Sequence, residues 1–374
     1  MFRLLAAVSL AVALCLACAP GTASAGPPMA VRPWTIPSDA RIHAILVDMV
    51  DRRQVAPGMV IGIIGPQGRR IIAYGRRDAN DPRPVDGDTL FEIGSITKLF
   101  TAVLLTDMVQ RGEVRLEDPA AGYLPPGMTL PARGGRQITL LDLVTHTSGL
   151  PDFPPNLAPK NPLNPFGNYD EQRLAAFLAG YRLPFSPGAG YSYSSVGAGL
   201  LGDLLARREG VSYETLVRSR VLGPLGMAST GITLNADQAR RLTPGHTRWL
   251  APAPYWTLPV LSGAAAMRSS ASDMLTFLGA NLGYVRSPLN GPFAAMLGVR
   301  RRADWIYDTQ AIGWVVSKTP MGEIAQHEGM TAGCRAYIAY DLRRRTGIVI
   351  LANAATHVQL DDLGDSLLIG VVRP

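Results

Sequence analysis

At 374 residues the chain is long for a single compact core and implies one large domain or two interleaved lobes. Its 30 prolines and 39 glycines show no internal period, which excludes a repeat protein and fits a loop-rich one. The net charge of +7 is mild, and the basic runs Arg69-Arg70, Arg300-Arg301-Arg302 and Arg343-Arg344-Arg345 carry no interleaved aromatics. They read as solvated turns, so no nucleic-acid partner is expected.

In chain order, Arg3 is followed by an almost wholly apolar run from Leu4 to Cys18, and then by the small-x-small triplet Ala23-Ser24-Ala25. This is the order of a secretory signal peptide, so residues 1–25 are predicted to be removed near Ala25 and the mature chain to be secreted or periplasmic. No later stretch approaches 18 uninterrupted apolar residues, and no integral membrane segment is expected after processing. Cys15 and Cys18 leave with the leader. Cys334 remains alone, which rules out an internal disulfide.

Ser38-Asp39 caps a helical pattern with Ile42, Ile45, Leu46 and Met49 on one face. Residues 59–64 and 70–74 read as two apolar strands joined by the Gly65-Pro66-Gln67-Gly68 turn. Helical spacing follows over 95–112, 137–146, 170–181, 195–208, 212–220 and 271–282, separated by loops such as Pro151–Pro165. Arg335–Tyr340 and Gly347–Leu351 form a second hairpin, and Val358–Val372 reads as a closing amphipathic helix. The predicted fold class is α/β (α+β). One lobe comes from residues 26–94 and 305–374, a mostly helical lobe from 95–304 lies inserted between them, and the site sits in the cleft.

Three short segments carry chemistry. Ser95 follows Gly94 at a helix start, and Lys98 lies one turn on, on the same face. A neutral amine there takes the serine proton if its pKa is lowered by burial, and the helix start supplies amides for a developing anion. The same spacing also describes an N-cap serine beside a solvated lysine. Tyr193 and Ser195 lie two apart before an apolar helix, as a proton relay or as a packed aromatic turn with a cap. His327-Glu328-Gly329 before Met330 suits a wall where Gly allows close backbone approach to a substrate; its other reading is a turn before a strand.

Together, in this order, the three segments resemble the active-site motifs of the penicillin-recognising serine hydrolases. The group most similar comprises class C β-lactamases, D-alanyl-D-alanine peptidases and related esterases. Supporting segments run along the mature chain: Phe91–Lys98, Leu143–Pro151, Ser186–Ser195 with Leu200–Gly202, Pro224–Met227 and Gly313-Trp314. The resemblance implies an antiparallel sheet flanked by helices and a covalent acyl-enzyme. Ser95 would be the nucleophile, Lys98 its proton acceptor and Tyr193 the proton shuttle to the leaving group. Ser195, His327, Gly329 and Met330 would meet the substrate, with the amides of Ser95 and Met330 as the oxyanion hole.

Two departures stand out. Ser195 replaces the asparagine of the usual Tyr-x-Asn, offering the substrate a shorter hydroxyl, and the wall reads His-x-Gly where efficient class C enzymes have Lys-Thr-Gly. An unperturbed His327 would change charge near pH 6.5 and hold a substrate carboxylate best when protonated. Lys318-Thr319-Pro320 is rejected as the wall, because proline lacks an amide donor and resists a central strand. The five histidines are scattered and no metal-ligand spacing occurs, so neither metal nor cofactor is expected. The expected substrates are small molecules, β-lactams or D-alanyl-D-alanine peptides of the cell wall. Short acyl esters are the alternative, and a silent peptidoglycan-binding module is the reading from another class.

Overall fold

The computed structural model describes residues 35–303 and 308–370. The leader at residues 1–25, with Cys15 and Cys18, lies outside them. Helix α1 (Asp39–Val47) starts where the Ser38 hydroxyl accepts the Arg41 amide, and it buries Ile42 and Leu46. A hairpin follows, β1 (Gly58–Gly65) and β2 (Gly68–Gly75), in register from Gly58 opposite Gly75 to Gly65 opposite Gly68.

The rest of the main sheet comes from the other end of the chain. Its strands are β3 (Arg301–Arg302), β4 (Asp308–Gln310), β5 (Val315–Thr319), β6 (Gly322–Met330), β7 (Arg335–Asp341) and β8 (Thr346–Ala352). Their order is β2-β1-β8-β7-β6-β5-β4-β3, antiparallel throughout. The sheet closes the chain on itself where Met59 to Ile64 of β1 pair with Ala352 to Gly347 of β8.

Both faces of the central strands are covered, which is why β1 reads as a continuous apolar run rather than an alternating one. Met59, Ile61 and Ile63 pack with Ile348, Ile350 and Leu367 under α1 and the C-terminal helix. Val60, Ile64, Val349 and Leu351 face the opposite way, into a core shared with the helical part of the chain.

The helical part includes α2 (Thr97–Gln110), α3 (Leu140–Val144), α4 (Glu171–Gly180), α5 (Ser195–Glu209) and α6 (Ala271–Asn281), while the C-terminal helix α7 (Leu360–Ile369) lies beside α1 on the first face. Helix α2 is buried on every side from Thr97 to Met108, so the sheet and the inserted helices meet around it. Two segments between residues 95 and 304 lie on the main sheet. Arg301–Arg302 is its edge strand. Helix α6 lies on β1 and β8, so close that a Cβ on Gly62 would stand 3.0 Å from Leu275 Cγ. Among the described residues no helix is long and apolar enough to cross a membrane.

Candidate active site

The segment before α2 is shaped by a glycine. Gly94 has φ +50°, and a Cβ there would lie 2.6 Å from the Met330 amide nitrogen. Only Gly lets the chain turn there against the end of β6. A single 3₁₀ turn, Gly94–Ile96, then leads into α2 and places Ser95 one turn before Lys98. Lys98 is 3% exposed. Its Nζ donates to Ser95 Oγ at 2.9 Å, to Ser195 Oγ at 3.2 Å and to the Ala264 carbonyl at 3.1 Å. All three ammonium hydrogens have a named acceptor, so the amine cannot turn away from the serine without losing one.

The tyrosine segment is held by the loop between α3 and α4. The Ser192 amide donates to the His146 carbonyl at 2.9 Å, and the Ser194 amide to His146 Nδ1 at 3.2 Å. Ser194 caps α5 by accepting the Gly197 amide at 2.7 Å, while its own hydroxyl donates to the Pro151 carbonyl at 2.9 Å. These bonds set Tyr193 with its ring 4.5 Å from that of His146 and 4.9 Å from Lys98 Nζ. The Tyr193 phenol is hydrogen-bonded to Ser95.

The third side is the end of β6. His327 and Gly329 lie within the strand rather than in a turn before it, opposite Ile338 and Ala336 of β7. A Cβ at Gly329 would stand 1.9 Å from the Ile93 carbonyl oxygen, so the strand touches the chain leading to Ser95 backbone to backbone. The Met330 side chain is 55% exposed. Lys318-Thr319 falls in β5, opposite Glu323 and Gly322 at the start of β6, with Pro320 in the turn that ends it.

A model of the beta-lactamase family matches residues 44–369, most of the chain. The chain belongs to the β-lactamase family. A D-alanyl-D-alanine-carboxypeptidase/endopeptidase, AmpH, of Escherichia coli K12 is 30% identical over 326 residues, 83% of each chain. A beta-lactamase of Pseudomonas fluorescens is 26% identical, over 82% of this chain and 91% of that one. Among solved structures, a class C beta lactamase from Rhodobacter sphaeroides superposes with a TM-score of 0.73 at 28% identity, covering 86% of this chain and 95% of its own. A further class C beta-lactamase, at 24% identity and TM-score 0.75, shares the fold.

In this β-lactamase-family site burial sets the electrostatics. Desolvation pulls Lys98 down to about 7, against the pull of Asp152 in the other direction. Burial pushes the Tyr193 phenol well above its ordinary value, which leaves a phenol rather than a standing phenolate at neutral pH. His327 is brought down to about 4 by burial first and by Lys98 second, and His146 well below its usual value for the same reasons. Burial and Lys98 thus hold His327 below the pH of about 6.5 at which an unperturbed ring changes charge. Its Nδ1 lies 2.6 Å from the Glu328 carbonyl. A carbonyl only accepts, so Nδ1 carries the hydrogen, and the neutral ring presents Nε2 as an acceptor.

Ser195 departs from its expected place in another way. Its hydroxyl donates to Asp152 Oδ1 at 2.6 Å while accepting from Lys98, so it is turned to the protein interior. Three members of the site escaped the sequence reading. Asp152 comes one residue after the Leu143–Pro151 segment, His146 lies inside that segment without a motif of its own to give it a role, and the Ala264 carbonyl has no side-chain signature.

The contact at Gly329 carries a prediction. Gly329→Ala is expected to lower kcat/KM by about 100-fold or more on every substrate, because β6 must retreat from the Ser95 segment by an ångström or so. Steady-state kinetics on a correctly folded sample checks it; wild-type rates would show that the strand is free to move.

Proposed function

We propose that this chain is an exported serine acyl hydrolase acting through a Ser95 acyl-enzyme on β-lactams or D-alanyl-D-alanine peptides. The observation that carries the reading is Lys98, buried, 2.9 Å from Ser95 Oγ and tuned to about 7. A lysine at its ordinary value would be an ammonium with no room for the serine proton.

In the proposed reaction neutral Lys98 takes the Ser95 hydrogen as Oγ bonds to the acyl carbon. The backbone amides of Ser95 and Met330 hold the oxyanion. The C–N bond then breaks, and the leaving nitrogen receives a proton through Tyr193, drawn from Lys98. Water hydrolyses the ester by the reverse proton path. Gly329 keeps the wall close, His327 lines the site, and Ser195 accepts from the Lys98 amine. The substrate class rests on the relatives, one named a carboxypeptidase/endopeptidase and several beta-lactamases. Export rests on residues 1–25.

The test is intact-mass and peptide mass spectrometry after incubation with a penicillin, which is expected to show an adduct on Ser95. No adduct with any β-lactam, peptide or activated ester would favour a binding module instead.

One observation favours a second reading, a carboxylesterase of the same fold. With His327 at about 4, the wall offers a substrate carboxylate no positive charge above about pH 5. The ratio of kcat/KM for a carboxylate-bearing β-lactam to that for a neutral ester is therefore expected to be flat from about pH 5.5 to 8.5. Because kcat/KM reports the free enzyme, Lys98 and Tyr193 cancel in the ratio. His327→Lys is expected to raise that ratio by about tenfold. A wild-type ratio that falls with a midpoint near 6.5 would restore His327 as a charged anchor.

A further inference from the structure

The resemblance that placed Tyr193 has asparagine where this chain has Ser195. A carboxamide at that place can accept from the lysine with its oxygen and donate with its nitrogen. A serine hydroxyl is shorter and has one hydrogen. In this protein that hydrogen goes to Asp152 Oδ1 at 2.6 Å, and the same carboxylate oxygen accepts the Ser195 amide at 3.1 Å. The hydroxyl oxygen in turn accepts from Lys98 Nζ at 3.2 Å. Asp152, Ser195 and Lys98 form a chain of hydrogen bonds ending on the amine that touches Ser95.

The loop that carries Asp152 is fixed from the neighbouring residue, because the Ser194 hydroxyl donates to the Pro151 carbonyl. Ser195 is the first residue of α5, where a carboxylate is favoured by the exposed amides of the helix start. The position of Asp152 is thus set by the same helix that presents Ser195.

We propose that Asp152 is a positioning residue for Lys98, acting through the Ser195 hydroxyl, and that Asp152 and Ser195 together replace one carboxamide. The inference rests on the Ser95–Lys98 reading above. Two effects follow. The link aims the amine at Ser95, and the charge counteracts the desolvation that lowers Lys98, which keeps the lysine from becoming too weak a base. The other polar groups around Lys98 are the Ser95 hydroxyl, the Ala264 carbonyl, the Tyr193 phenol and the His146 and His327 rings. Both rings are held neutral, so Asp152 is the carboxylate that faces the amine.

The experiment is the pH profile of kcat/KM on a neutral ester from about pH 5 to 9. Asp152→Asn is expected to move the acid limb down by about one pH unit, since an attractive charge has been lost. It should also lower the plateau by about tenfold. Adding Ser195→Asn to that variant is expected to bring the plateau back to within about threefold of wild type, with the acid limb still displaced. A carboxylate that only caps α5 would lower the melting temperature and leave the limb in place, which overturns the proposal. Failure of the double variant to recover overturns it as well.

Should Asp152→Asn not fold, Ser195→Ala and Asp152→Glu take the same profile. Ser195→Ala is expected to lose the plateau about tenfold, and Asp152→Glu to keep the acid limb within a few tenths of a unit of wild type. A wild-type plateau in Ser195→Ala, or a shifted limb in Asp152→Glu, refutes the link. Ser95→Ala run beside them keeps the two readings apart: turnover that survives it removes the nucleophile assignment itself, whatever the Asp152 variants do.

Discussion

Ser95→Ala is expected to lower turnover of every ester, peptide and β-lactam substrate by roughly 10⁴–10⁶-fold, the scale seen when a nucleophile is removed from a unit that acts together. The fold should survive, because only one oxygen is lost from a side chain that is not part of the core. Lys98 would keep two of its three acceptors, Ser195 and Ala264. Substrate affinity should change little, since the backbone wall of Gly329 and Met330 and the site around it stay in place. The measurements are single-turnover kinetics, mass spectrometry for covalent adducts, and equilibrium binding of a slowly reacting substrate. Labelling that persists at another serine would move the nucleophile elsewhere in the cleft and remove the basis for the roles of Lys98 and Tyr193.

The parts of this site that the sequence shows are those whose partners are near in the chain. Ser95 and Lys98 are one helical turn apart, so helix geometry alone predicts their meeting. The predicted helices at 170–181, 195–208 and 271–282 lie within a residue or two of α4, α5 and α6, because each begins at a capping side chain, Asp170, Ser194 or Ser270. Between 137 and 146 the spacing predicts more helix than forms. Only Leu140–Val144 is helical, because the Thr139–Asp142 capping box starts it late and His146, at φ +57°, ends it.

Strands β3 to β6 are hard to read for a different reason. Arg301–Arg302 and Asp308–Gln310 are too short and polar to show a period, and β6 mixes Glu323, Gln326, His327 and Glu328 with its apolar residues. Among them only β6 pairs with the apolar β7, and β5, β4 and β3 are each added to the strand before them, so their pairing is decided by the growing sheet edge. Asp152 and Ser195 are 43 residues apart, and nothing local marks either as the other's partner. Their meeting is a property of how one loop lies against the start of α5, and so is the tilted ring contact of His146 with Tyr193.

Lys98→Met is expected to cost roughly 10⁴-fold in acylation, the upper end for a proton acceptor, and at the same time to make the protein more stable. The sign follows from the depressed pKa. In the unfolded chain the amine holds its proton up to about 10.5, and in the folded protein only to about 7. Between those values the unfolded state binds more protons, so wild-type stability rises as pH increases from about 7 to 10.5. Below pH 7 the full cost of burying the ammonium is present. A shift of this size corresponds to about 5 kcal/mol at most. Methionine fills nearly the same volume without that charge. Against the gain stand the Ser195 hydroxyl and the Ala264 carbonyl, which lose their donor at about 1–3 kcal/mol in all. The net expectation is a variant more stable than wild type by about 2–4 kcal/mol at pH 6, with the difference reaching zero between about pH 8 and 10 and reversing above that, where the lost hydrogen bonds are all that remains. Denaturant unfolding at several pH values measures it. A variant no more stable than wild type at pH 6 would mean that the buried lysine is held by its partners at little cost, and that its pKa is not brought down to the range a proton acceptor needs.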